Sequence, residues 1–64
     1  MNPIRKYRMA KGYNQTDLAK LVGVTQTTVS HWENGMATPR GKNLIALSEV
    51  LEVPTIELLT QKGA

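Results

Sequence analysis

Sixty-four residues and a net charge of +3 describe a chain with room for one small domain and a mild attraction to polyanions. The chain has no cysteine, so it has neither a disulfide framework nor a thiolate metal site, and it suits a reducing compartment. Its apolar runs are too short to span a membrane, its N-terminus does not read as a secretory signal, and its charge is lopsided: a net +5 over residues 1–43 against −2 over 44–64.

No stretch alternates apolar and polar residues over a strand's length; helix boundaries recur instead. Asn2-Pro3 sets a capping side chain before a proline at the first helical position, and Gly12 closes that segment. Asn14 caps a second helix over about 15–22, with Gly23 just past its end, where a positive φ is needed. Thr25 caps a third helix over about 26–34, stopped by Gly35, and 36–39 form a loop. A fourth helix spans about 40–51, with Leu44, Leu47 and Leu51 at three- and four-residue spacing. Pro54 opens a short fifth helix through about Leu59, and 61–64 fray. These elements predict a single all-α domain over 1–64, a compact five-helix bundle. Its expected core is Ile4, Leu18, Ala19, Val22, Val24, Val29, Trp32, Leu44, Leu47, Leu51, Val53 and Leu58. Leu21, Ile45, Ile56 and Leu59 do not all fit inside so small a bundle, and are left for its edge or for a self-association patch.

The third helix is the informative one. On a wheel at about 100° per residue, Val29, Trp32 and Glu33 share one side. Gln26, Thr27, Ser30, His31 and Asn34 share the other, with Thr28 at the flank. This second side carries none of the Lys, Glu or Arg that ordinarily keep a surface helix soluble and helical. Ser, Thr and Asn are mediocre helix formers, so something other than helix stability accounts for them. Neutral groups that both donate and accept hydrogen bonds suit base edges in a DNA major groove; Gln can bond adenine bidentately, and a Thr methyl can touch the thymine methyl. The plain alternative is a solvated polar face that lacks charge.

The surroundings favour the first reading. Ala19 is small where two helices cross closely, Gly23 permits a sharp turn, and Val29 and Trp32 point back into the angle between the helices. A first helix across the backbone, a short turn and a second helix in the groove make a helix-turn-helix, here at about 15–34.

The run Gln15-Thr16-Asp17-Leu18-Ala19-Lys20-Leu21-Val22-Gly23-Val24-Thr25-Gln26-Thr27-Thr28-Val29-Ser30-His31-Trp32-Glu33-Asn34-Gly35 resembles the phage Cro and CI repressor type of helix-turn-helix, the lambda repressor-like or XRE-type DNA-binding domain. The resemblance extends over roughly 3–59; Gln at both helix starts followed by Trp-Glu-Asn-Gly is its most specific part. It implies that Gln15 bonds a phosphate and braces Gln26, that Gln26, Thr27 and His31 read bases, and that Asn34 lies near the phosphates. It leaves Thr28 and Ser30 open to either role. It also implies an ion pair between Arg8 and Glu33, which a mostly buried carboxylate would need; Arg8 is therefore assigned to structure and not to DNA. Three departures stand out: Tyr7 and Tyr13 occupy usually aliphatic positions, Gly41 replaces a common leucine, and His31 is unusual among base readers.

Arg40 and Lys42 follow the loop, where a repressor flanks the groove, and are expected to bind phosphate. Pro54, Thr55 and Ile56 lie where related repressors meet across a two-fold axis, which makes them the candidate dimer contacts. An enzyme is disfavoured. There is one histidine and no paired carboxylate set, and His31 and Glu33, two apart on a helix, point to different faces. The competing reading is an antitoxin or adaptor-type module of the same fold with a protein partner, but such a face would display Tyr, Trp, Met or Arg anchors, and the third helix shows none outward. The expectation is a Cro-type transcriptional repressor that binds double-stranded operator DNA as a homodimer. It would work in the cytoplasm of a bacterial or phage-infected cell, with no cofactor, metal, small-molecule substrate or membrane.

Overall fold

The starts of the first three helices are each set by a side chain that the sequence places just ahead of them. In the computed structural model, which describes residues 2–59, α1 (Pro3–Ala10) begins where Asn2 accepts from the Ile4 and Arg5 amides at 2.8 and 3.3 Å. The Asn2 side chain also donates through Nδ2 to the Trp32 carbonyl at 2.9 Å, so the cap of α1 is tied to a later helix. Helix α2 (Gln15–Val22) opens on a reciprocal capping box: the Asp17 amide donates to the Asn14 side chain at 2.7 Å, and the Asn14 amide to the Asp17 carboxylate at 3.2 Å. Thr25 caps α3 (Gln26–Glu33) through the Thr28 amide at 3.2 Å.

The fourth and fifth helices start later than the sequence suggests. Helix α4 (Lys42–Leu51) begins two residues beyond Arg40, because buried Pro39 anchors the preceding segment and Gly41 stands at the N-cap with no side chain to cap it. Pro54 lies just outside α5 (Thr55–Leu59), and its carbonyl accepts from the Glu57 amide at 3.0 Å. The expected fraying of 61–64 lies outside the described residues. Five helices and no strand make up the described residues, the all-α bundle expected from the helix signals.

Packing explains the order of the helices. Helix α2 lies against α3 and α4, α1 against α3 and α5, and α4 against α5, so all five close on one core. Ile4, Leu18, Ala19, Val29, Trp32, Leu47, Leu51 and Leu58 are at most 3% exposed. Val22, Val24, Leu44 and Val53, expected inside, are only partly buried and line the margin together with Tyr7, Tyr13 and Val50. A bundle this small has too little interior to enclose every apolar side chain. Both tyrosines therefore sit half-buried, with their rings on the core; the Tyr7 hydroxyl donates to Glu57 at 3.1 Å, a bond that raises its pKa above the ordinary value. Leu21, Ile45, Ile56 and Leu59 are left outside, 48 to 65% exposed, and Met9 and Met36 join them.

Candidate nucleic-acid interface

The turn between α2 and α3 fixes how α3 is presented. Gly23 ends α2 in the left-handed region at φ 93°, and the Gly23 and Val24 amides both donate to the Ala19 carbonyl, at 2.8 and 2.9 Å. One residue later Thr25 already caps α3, so the two helices are joined by three residues. Ala19, 3% exposed, keeps the contact close, while Val29 and Trp32 turn their side chains into the core.

What α3 shows outward is graded. Gln26, Thr27 and Asn34 are exposed, whereas Thr28, Ser30 and His31 are half-buried. The Thr28 hydroxyl is engaged with that of Thr25 at 3.0 Å, and the Ser30 hydroxyl accepts from Asn34 Nδ2 at 3.3 Å. Beyond the helix the chain folds back, with the Met36 and Ala37 amides donating to the His31 carbonyl at 2.9 and 3.3 Å. Arg40 is exposed in the loop and Lys42 is exposed in the first turn of α4.

Beneath this face runs a polar chain that crosses three helices. Glu33, with a side chain 3% exposed, accepts from Arg8 Nε at 2.6 Å and Nη2 at 3.1 Å. The same guanidinium donates through Nη1 to the Tyr13 carbonyl at 2.9 Å, so Arg8 is spent on the fold. Gln15 Nε2 then donates to Glu33 Oε1 at 3.1 Å, and Gln15 Oε1 accepts from Gln26 Nε2 at 2.5 Å. Among the described residues no buried side-chain nitrogen or oxygen lacks a partner, and no group of three His, Cys, Asp or Glu side chains is placed to hold a metal.

The structure thus draws Arg8, Gln15, Gln26 and Glu33 into one hydrogen-bonded line, and Ser30 and Asn34 into a second pair. Pro54, Thr55 and Ile56 stand apart from both, at the start of α5, with Pro54 and Ile56 exposed. Two features were not read from the sequence. The bond from Gln15 to Glu33 joins residues 18 apart with no local signal, and the exposure of Met36, at 71%, follows from the way the loop closes on α3.

A turn of this kind between two short helices, with a neutral polar face standing on a buried ion pair, defines a class. A helix-turn-helix family model matches residues 4–58, and the chain belongs to that family, of the lambda repressor-like, XRE type. It is 45% identical over 49 residues to the HTH-type transcriptional regulator DicA of Escherichia coli (strain K12), covering 77% of this chain and 36% of DicA. It is 41% identical over 49 residues to repressor protein C2 of Salmonella phage P22, covering 77% of this chain and 23% of C2. The chain therefore spans about a third or less of the length of these curated relatives. The solution structure of the DNA-binding domain of the P22 C2 repressor superposes with a TM-score of 0.84 at 35% identity, over 97% of this chain and 82% of that one. These relatives are transcriptional regulators and repressors, not enzymes.

Proposed function

We propose that the chain is a sequence-specific, Cro-type transcriptional repressor that reads operator half-sites in the major groove as a two-fold homodimer. One observation carries this reading: α3 presents an uncharged row of hydrogen-bonding side chains, led by exposed Gln26 and Thr27, on a mount anchored by a buried ion pair. A surface helix gains nothing in helix propensity from such a row, whereas side chains that both donate and accept suit base edges. The P22 C2 relative, whose solved domain is described as DNA-binding, supports the same reading.

In this reading Gln26, Thr27, Thr28, Ser30 and His31 meet base edges, with Gln26 and Thr27 the most exposed of the five. Gln15, Asn34, Arg40 and Lys42 meet phosphates, helped by the first backbone amides of α2, which have no helical acceptor. Pro54, Thr55 and Ile56 meet a second copy. Repression follows from occupying promoter DNA in the bacterial or infected-cell cytoplasm, and no chemical step is involved.

Selection from a randomised duplex library, followed by titration of the recovered site at two salt concentrations, tests this. The expected result is a palindrome with half-sites about 10 base pairs apart and an affinity of about 10⁻⁸ to 10⁻¹¹ M at physiological salt. No consensus, with binding that disappears as salt rises, would leave only a basic surface meeting phosphate.

A further inference from the structure

The polar chain under α3 has a direction, and the direction comes from its buried end. A carboxylate can only accept, so the Gln15 group facing Glu33 must be its Nε2, at 3.1 Å from Oε1. That leaves Gln15 Oε1 turned toward α3, an acceptor, and the Gln26 group facing it must be Nε2, at 2.5 Å. An amide is nearly symmetric in shape and could sit either way round in a shallow contact. Here each amide is oriented by the one before it, back to a charge that Arg8 holds in place at 2.6 Å.

We propose that Glu33, acting through Gln15, fixes which way round Gln26 presents its amide, so that a carboxylate buried away from DNA sets a base preference. It rests on the reading of α3 as a major-groove helix. With one Nε2–H committed to Gln15, Gln26 turns Oε1 and its other N–H outward. That ordered acceptor and donor match N6–H and N7 of one adenine and oppose the order a flipped amide would offer. Glu33 is thus a positioning residue for specificity, in addition to its place in the fold.

Two variants separate direction from stability. Glu33→Gln keeps the shape but allows the facing atom to be donor or acceptor. Gln15→Lys keeps a donor on Glu33 and leaves the Arg8 pair intact, yet offers Gln26 a donor where it now meets an acceptor. Wild type and both variants are titrated against the selected duplex and against the three duplexes with the base pair facing Gln26 replaced. Each chain is first checked for folding by circular dichroism.

Wild type is expected to prefer its base pair by about 5- to 150-fold, the range of a good bidentate contact. In folded variants that preference falls below about threefold or shifts to another pair, while discrimination at the pair facing Thr27 persists. Should Glu33→Gln not fold, Gln15→Lys decides alone. An equal loss on all four duplexes is what a merely structural role gives, and it overturns the proposal, as does an unchanged ranking. A wild type without preference at any position overturns the groove reading itself, and this inference with it.

Discussion

At the scale of single residues, the proposed interface divides into side chains that discriminate and side chains that only hold. Gln26 is exposed at the start of α3 with its amide already oriented, so Gln26→Ala is expected to cost about 1–3 kcal/mol on the selected duplex and to relax one base preference. Lys42 is an exposed point charge, so Lys42→Ala is expected to weaken all duplexes alike and to flatten the salt dependence. Titrations on specific and random duplexes check both; equal losses from the two changes would abolish the distinction. Beneath them, Arg8 answers a different question. With its partner only 3% exposed, Arg8→Met strands the Glu33 carboxylate and is expected to destabilise by about 3–5 kcal/mol in urea unfolding. Arg8→Met combined with Glu33→Leu is expected to recover most of that loss, because an apolar pair leaves no buried charge behind. If the double variant were no better than the single one, the cost would lie in lost packing around Arg8 instead.

At the scale of elements, helix ends are where local chemistry and the finished fold meet most directly. Gly23 and Glu52 are both left-handed C-caps, and they suit that position differently. Gly23 ends α2 at φ 93° with open space where a side chain would go, so Gly23→Ala is expected to cost about 1–2 kcal/mol from backbone strain alone. Glu52 ends α4 at φ 59°, a conformation unfavourable to any residue with a Cβ. Its compensation is a pair with Lys11 at 3.0 Å, but Glu52 is 72% exposed, and such a pair contributes at most about 1 kcal/mol. Glu52→Gly is therefore expected to raise stability by about 0.5–1 kcal/mol, read from thermal and urea unfolding. A loss would mean that the tie from α1 to α4 outweighs the strain.

The same contrast explains what was legible in the sequence. Asn14 and Asp17 form their capping box within one turn, and Thr25 caps within another, so a capping residue ahead of each helix and a glycine beyond it were enough to find both helices. The start of α4 was misplaced by two residues because it depends on Pro39 being buried by the rest of the molecule. The contact of Gln15 with Glu33 crosses two helices, and no spacing rule announces it. Val22, Val24, Leu44 and Val53 look like core by type, yet only packing decides that they stop at the margin.

At the scale of the whole molecule, charge and apolar surface are distributed for different partners. The +5 of residues 1–43 belongs to the part that contains α3 and the basic loop, and the −2 of 44–64 to the part that contains α5. A phosphate surface is thereby drawn toward one part of the molecule and away from the other. On the disfavoured part Ile56 stands 65% exposed, next to exposed Pro54 at the start of α5. An isoleucine so exposed gains little from packing within its own chain, and a partner that covered it would add the burial of that side chain. In the proposed dimer a second copy related by a two-fold axis would cover it with the same residue and place two α3 helices on one side of a duplex, one helical turn apart. Ile56→Glu then sets two like charges against each other across that axis. The expected outcome is an unchanged unfolding curve, since the side chain is exposed in the single chain, together with loss of cooperative binding to the palindrome. Binding to an isolated half-site should persist at its own weaker level. Titration of palindrome and half-site with the two proteins distinguishes the cases, and cooperative binding that survived Ile56→Glu would move the two-fold contact to another part of the surface.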